Sequence, residues 1–174
     1  EVAQQKNLLM DSKLTLFSQI ISKIDRVIFK KIVKEKKTDY RNKGFDSWTH
    51  LVSMLFCHFA KSTSVRDISN GLRSATGNLN HLGIKTAPSK SSISYQNGKR
   101  DADLFKDLYF ILLEHLGQHT KQKRVKLKIK VPVYLLDSTL ISLCLSLFDW
   151  ATYRTKKGAV KMHTLLEYDG KLPV

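Results

Sequence analysis

Acidic residues are scarce in this chain. Fifteen Asp and Glu stand against 30 Lys and Arg over 174 residues, a formal net charge of +15 with histidine neutral. An excess of that size repels itself in a compact state unless something anionic sits against it, and nucleic acid is the commonest such partner. Cysteine is scarcer still. Cys57 and Cys144 lie far apart with no CxxC pair, which argues against a disulfide framework or a zinc ribbon and predicts two buried, reduced thiols. No stretch reaches the roughly 20 apolar residues of a spanning helix, and the longest apolar run is interrupted at Asp137, so no membrane partner is expected. Residues 1–13 carry Glu1, Lys6, Asp11 and Lys13 where a signal peptide needs an apolar segment, and cytoplasmic residence is the expectation. Internal repeats and low-complexity tracts are missing as well.

What is present is the composition of a folded protein, 42% hydrophobic and 26% charged. The length suits one full core or two small domains. The chain begins with Glu1 rather than Met and stops at Val174 just after a turn, which reads as a fragment whose last strand has barely begun.

Helical periodicity dominates as far as residue 119. Leu14, Phe17, Ile21, Ile24, Ile28 and Ile32 recur at steps of three and four, a stripe with a break predicted near Asp25. Trp48, Leu51, Val52, Leu55, Phe56 and Phe59 repeat the pattern, with Ser47 as the expected cap. Ser64 and Asp67 form a capping box for a helix whose inner face is Val65, Ile68 and Leu72, and the short spacer Lys61–Thr63 suits a helix-turn-helix. Thr76 to Ser89, with Gly77, Gly83 and Pro88, reads as a loop. A polar helix is predicted from Lys90 to Lys99, and Asp101 caps a longer one carrying Leu104, Phe105, Leu108, Ile111, Leu112, His115 and Leu116.

The period then changes to two. Val125, Leu127, Ile129, Val131, Val133 and Leu135 alternate with lysines, Pro132 marks an edge or linker, and the central strand is predicted to start near Val133. A second strand fits Ala159 to Tyr168, followed by a hairpin turn at Asp169-Gly170. The predicted fold class is α+β: an all-helical module over residues 1–119, a basic linker over 120–130 and the opening of a mixed sheet over 131–174.

Asp137 shares the parity of Val133 and Leu135, so a strand reaching it aims its carboxylate with the apolar face. Such an ion is costly unless a metal or donors satisfy it, or the strand ends there. Two roles stay open for it: a cap formed by the D-S-T stretch, or a ligand for the hard divalent cations that phosphoryl transfer on DNA requires.

The stretch LLDSTLISLCLSLFDWATYRTKKGAVKMHTLLEYDGKLP, residues 135–173, resembles the first catalytic block of bacterial insertion-sequence transposases of the DDE superfamily. Upstream, FDSWTHLVSMLF, SVRDISNGL, HLGI and SSISYQNGKRD follow in the order of the helical module that precedes that block in the same transposases. The resemblance implies a ribonuclease-H-like catalytic domain and an enzyme that binds the terminal inverted repeats of a mobile element, cleaves the DNA there and joins it to a target. It implies that Asp137 is the first acid of a triad coordinating Mg²⁺ or Mn²⁺. The second Asp and the Glu would lie beyond Val174, so this fragment is expected to bind double-stranded DNA without cutting it. A synaptic homodimer and a nucleoid-associated, bacterial cytoplasmic location also follow from the resemblance. A non-catalytic, sequence-specific DNA-binding protein or regulator is the alternative. Asp169 is read as a turn residue, and Glu167 lies off the inner parity.

For DNA contact, Ser91, Ser94, Tyr95, Lys99 and Arg100 supply the donors and acceptors that base edges and phosphates need, against the alternatives of a plain polar surface helix or a turn at Asn97-Gly98. Arg66 and Arg73 point outward on the preceding helix. Lys126 and Lys128 belong to an acid-free run that either tracks a phosphate backbone or is a solvated linker. Arg154, Lys156, Lys157, Lys161 and His163 are expected beside Asp137, gripping DNA near the scissile bond. His115 and His119 have i, i+4 spacing but no third ligand, so a helix-end role is preferred to zinc.

Overall fold

Capping residues set the helix boundaries in the computed structural model, which describes residues 16–42, 44–75, 79–120, 131, 133–143, 152–153, 157–168 and 172–173. Helix α1 covers residues 16–21, and α2 is Arg26–Lys36. The break falls at Asp25, whose carboxylate accepts the amides of Val27 at 2.7 Å and Ile28 at 3.3 Å. Lys37 closes α2 in a left-handed conformation, φ 52°, while the Thr38 N–H donates back to the Val33 carbonyl.

Helix α3, Ser47–Phe59, is capped by Asp46 and not by Ser47: Asp46 Oδ1 accepts the Thr49 N–H at 2.8 Å. Ser47 is instead drawn into the core, where its hydroxyl donates to Asp39 Oδ1 at 2.8 Å. Helix α4, Val65–Ser74, has the predicted Ser64 cap, and the Asp67 carboxylate accepts from the Thr63 N–H and hydroxyl one residue earlier. A 3₁₀ turn at Leu79–Leu82 interrupts the expected loop. Helix α5, Lys90–Lys99, has Ser89 as its cap. Helix α6, Asp103–Thr120, opens with Asp101 accepting the Asp103 N–H at 2.9 Å.

One apolar cluster joins these helices, with Phe29 and Ile32 from α2, Val52 and Phe56 from α3, Ile68 and Leu72 from α4, Ile93 from α5, and Leu104 and Leu108 from α6. Each such side chain contributes roughly 1.5–3 kcal/mol of transfer free energy, so the cluster, rather than helix propensity, holds the short helices together. Helices α3 and α4 approach closely at Gly71, where an added Cβ would lie 2.6 Å from Phe56 Cε1. The segment between α4 and α5 is pinned from three sides. Trp48 Nε1 donates to the Leu82 carbonyl at 2.8 Å, the Arg26 guanidinium stacks 4.6 Å above the Trp48 ring, and the Ser69 hydroxyl donates to the Pro88 carbonyl at 2.8 Å. Gly83 turns the chain there at φ +70°, a conformation that favours glycine. These contacts fix α5 against α3 and α4.

The C-terminal part is a sheet, which makes the fold α+β. Strands β1, Tyr134–Leu143, β2, Thr152–Tyr153, and β3, Lys157–Glu167, lie in the order β1-β3-β2, and every pairing described is antiparallel. The Glu167 N–H donates to the Leu172 carbonyl at 3.0 Å and Leu166 bridges Pro173, so the chain reverses between them; Asp169-Gly170 itself lies outside the described residues. β1 does not stop at Asp137. Asp137 pairs with Thr164 and the ladder continues to Leu143, opposite Gly158. A polar D-S-T stretch stays extended because β3 supplies cross-strand partners on both sides of it, which removes both the expected strand end and the capping role. At the other junction, an added Cβ on Gly117 of α6 would lie 3.4 Å from Leu172 Cδ1.

Candidate nucleic-acid interface and the Asp137 carboxylate

Helix α5 buries one apolar side chain completely, Ile93, and turns a polar row outward. Ser91, Ser94, Tyr95 and Lys99 are all exposed, at spacings that place them on one helical face. Tyr95 and Lys99 act as a unit: Lys99 Nζ donates to the Tyr95 hydroxyl at 3.1 Å and sits 5.3 Å from the ring centre. Helix α4, packed on α5, exposes Arg66, Asn70 and Arg73 along one face of its own. The two predicted arginines therefore stand on the surface of the helix that supports α5.

Arg100 does something else. Its side chain is 1% exposed; Nη2 donates to the Phe45 carbonyl at 3.0 Å and pairs with Asp39 Oδ1 at 3.3 Å, and the guanidinium carbon lies 5.8 Å from the Phe45 ring centre. The predicted DNA contact is thus a buried cation that ties the α5–α6 junction to the loop before α3. Burial pulls its pKa down, while the Asp39 and Asp46 carboxylates oppose that shift. Its Nε and Nη1 atoms make no hydrogen bond.

Beside it lies His50, a residue that the sequence does not mark out. The ring is 2% exposed, tilted 5.6 Å from the Phe45 ring and edge-on 5.4 Å from the Phe105 ring. Burial and the Arg100 charge push its pKa down to about 4, with the Asn97 side chain pulling weakly the other way. It is a neutral core histidine, and its environment became visible only once α3, α5 and α6 were packed.

On the sheet, the register separates the expected phosphate grip. Asp137 shares its face with Leu135, Thr139, Met162, Thr164 and Leu166. His163 pairs with Ser138 and Lys161 with Leu140, and both therefore project from the opposite face, away from Asp137. Glu167, opposite Tyr134, is on that other face too, as its parity predicted. Asp137 is solvent-exposed; the Thr139 hydroxyl donates to its Oδ2 at 2.7 Å, and this bond, with a weaker one from the Ser138 N–H, lowers its pKa. The Thr139 hydrogen bond thereby orients the carboxylate along the strand. Lys126, Lys128, Arg154 and Lys156 lie outside the described residues, as do the side chains of Lys157 and His119.

A Mg²⁺ or Mn²⁺ ion needs several oxygen ligands, of which the Asp137 carboxylate could supply one. Among the described residues no group of three His, Cys, Asp or Glu side chains gathers around Asp137 or elsewhere. Cys57 is a buried thiol without a disulfide. No described helix is long and apolar enough to cross a membrane.

Residues 12–85 match a family described as a domain of unknown function, DUF4372. That match spans α1 to α4 and the 3₁₀ turn, and ends before α5. No curated protein and no solved structure matches the chain.

Proposed function

We propose that this chain binds double-stranded DNA through the outer face of α5, and that its sheet opens the ribonuclease-H-like catalytic domain of a DDE-type transposase acting on the ends of a mobile element. The observation that carries the DNA reading is the row Ser91, Ser94, Tyr95 and Lys99, exposed on a short helix that buries only Ile93 completely and is braced by α3 and α4. A three-helix arrangement of this kind presents its last helix to a major groove, where hydroxyl and amine groups meet base edges and phosphates. The +15 charge supplies the non-specific attraction. The order of the sequence blocks from FDSWTHLVSMLF to the stretch around Asp137, which resembles that of insertion-sequence transposases, favours the mobile-element reading over a generic DNA binder.

The catalytic half of the reading rests on Asp137, central in an antiparallel pair and hydrogen-bonded by the Thr139 hydroxyl. It is one ligand of a site and not the site, so no cleavage step is assigned to the residues described. In a transposase that carries the two further acids, Asp137→Asn is expected to abolish strand cleavage and leave end binding intact. Retained cleavage would return the chain to the second reading, a sequence-specific DNA-binding protein without catalysis.

Fluorescence anisotropy on a DNA duplex tests the binding claim. The logarithm of affinity should fall with the logarithm of salt at a slope of about −0.9 per phosphate neutralised. Replacing both Tyr95 and Lys99 with Ala should weaken binding by about 1–3 kcal/mol at unchanged thermal stability. A flat salt response, or full affinity in the double variant, would remove the reading.

A further inference from the structure

Helix α2 buries Phe29 and Ile32, packs Ile28 and Val33 against the same core, and turns lysines to solvent. Lys30, Lys31 and Lys34 are exposed on one flank of the helix, and Lys37 and Arg41 continue the basic run beyond its end. Lys30 and Lys34 stand about 6 Å apart along the axis. Arg41 stacks 5.2 Å from the ring centre of Tyr40, which is 71% exposed.

Acids near this surface are engaged elsewhere. Asp25 caps the helix, Asp39 accepts from Ser47 and Arg100, and Asp107 holds Lys36 at 2.9 Å. Glu35 remains beside the lysines, yet Lys30, Lys31, Lys34 and Lys37 make no ion pair among the described residues. The helix dipole accounts for Lys34 and Lys36, both in the last turn, but its pull has faded at Lys30 and Lys31 in the middle of the helix. Like charges three and four positions apart repel, so helix stability does not account for them either. Beyond the helix, Lys37 and Arg41 hold φ of 52° and 58°, a left-handed backbone that glycine adopts at less cost. A face that gathers cations against both costs is suited to an extended anion. A membrane surface would need apolar side chains beside those cations, whereas the apolar residues of α2 other than Val27 face the core.

We infer that the outer face of α2, with Lys30, Lys31, Lys34, Lys37 and the Tyr40–Arg41 pair, is a second duplex site that grips the phosphodiester backbone of DNA without reading its sequence. The inference rests on the reading that the chain binds duplex DNA, but it gives the backbone grip to a different helix in a different place: α2 packs on α6, whereas α5 packs on α3 and α4. Phosphate contacts of this kind add affinity and salt dependence and leave specificity unchanged.

Fluorescence anisotropy over a range of salt concentrations, on two duplexes of unrelated sequence, tests it. The variant Lys30→Gln with Lys34→Gln is compared with wild type and with Lys85→Gln plus Lys106→Gln, a control that removes the same charge from two exposed lysines elsewhere. The α2 variant should lose about tenfold or more in affinity on both duplexes and flatten the log–log salt slope by about 1.8, at 0.9 for each of two phosphates. Its thermal midpoint should not fall, because the two lysines repel each other, and Lys30→Arg with Lys34→Arg should bind as wild type does. Unchanged duplex affinity would overturn the inference. So would an equal loss in the control, a loss confined to one duplex, or binding to phosphatidylserine vesicles that depends on Lys30 and Lys34 when duplex binding does not. Tyr95→Ala with Lys99→Ala separates the two claims: a loss there and none in the α2 variant leaves the α5 reading standing on its own, and the reverse leaves the α2 face as the duplex site.

Discussion

His50 is the residue whose chemistry depends most on its surroundings. Its pKa of about 4, set by burial and by Arg100, compares with about 6.5 in an unfolded chain. Between those values the unfolded state binds a proton that the native state refuses, so stability rises with pH across the window. The contribution is fully present above pH 6.5 and is lost as pH falls toward 4, with a total on the order of 3 kcal/mol. Urea unfolding midpoints measured across that range should fall steeply for the wild type and less for His50→Leu; parallel profiles would place the acid sensitivity elsewhere. Asp137 illustrates the opposite case at the surface, a carboxylate whose pKa the Thr139 hydroxyl and the Ser138 N–H lower against a smaller opposing effect of desolvation.

At the scale of elements, packing of α4 on α3 turns on Gly71. A methyl group there meets the Phe56 ring at 2.6 Å, and that ring is itself in the core, edge-on to Phe17 at 5.6 Å. Gly71→Ala should therefore cost about 1–3 kcal/mol despite the better helix propensity of Ala, a loss readable as a lower unfolding midpoint. Helices were legible in the sequence because their signals are local: Asp25, Ser64 and Asp101 sit where caps are needed, and the polar α5 was bounded to the residue. Ser47 misled because Asp46, equally suited to cap, precedes it by one position. The candidate site was legible only where exposure follows from helical spacing, as for Ser91, Ser94, Tyr95 and Lys99. Arg100 reads as one more basic group on that helix until Asp39 and Phe45, 61 and 55 residues away, close around it. Lys161 and His163 could not be assigned a face relative to Asp137 before the β1–β3 register was known. The extent of β1 was hidden for the same reason: strand pairing is a non-local fact, and D-S-T without its partner strand looks like a cap.

Across the whole molecule, the basic excess is not spread evenly. Helices α4 and α5 present Arg66, Arg73, Lys90 and Lys99 around a polar row, whereas α6 turns acids and aromatic rings outward. The basic, polar surface of α4 and α5 is thus separate from the acidic, aromatic face of α6, and the apolar cluster holds these helices together. The account stands or falls on α5. Backbone amide chemical shifts followed during titration with a DNA duplex test it most directly. The prediction is that Ser91, Ser94, Tyr95 and Lys99 move first and furthest while residues of α6 stay in place; perturbations confined to α6 or the sheet, with α5 unmoved at saturation, would contradict it.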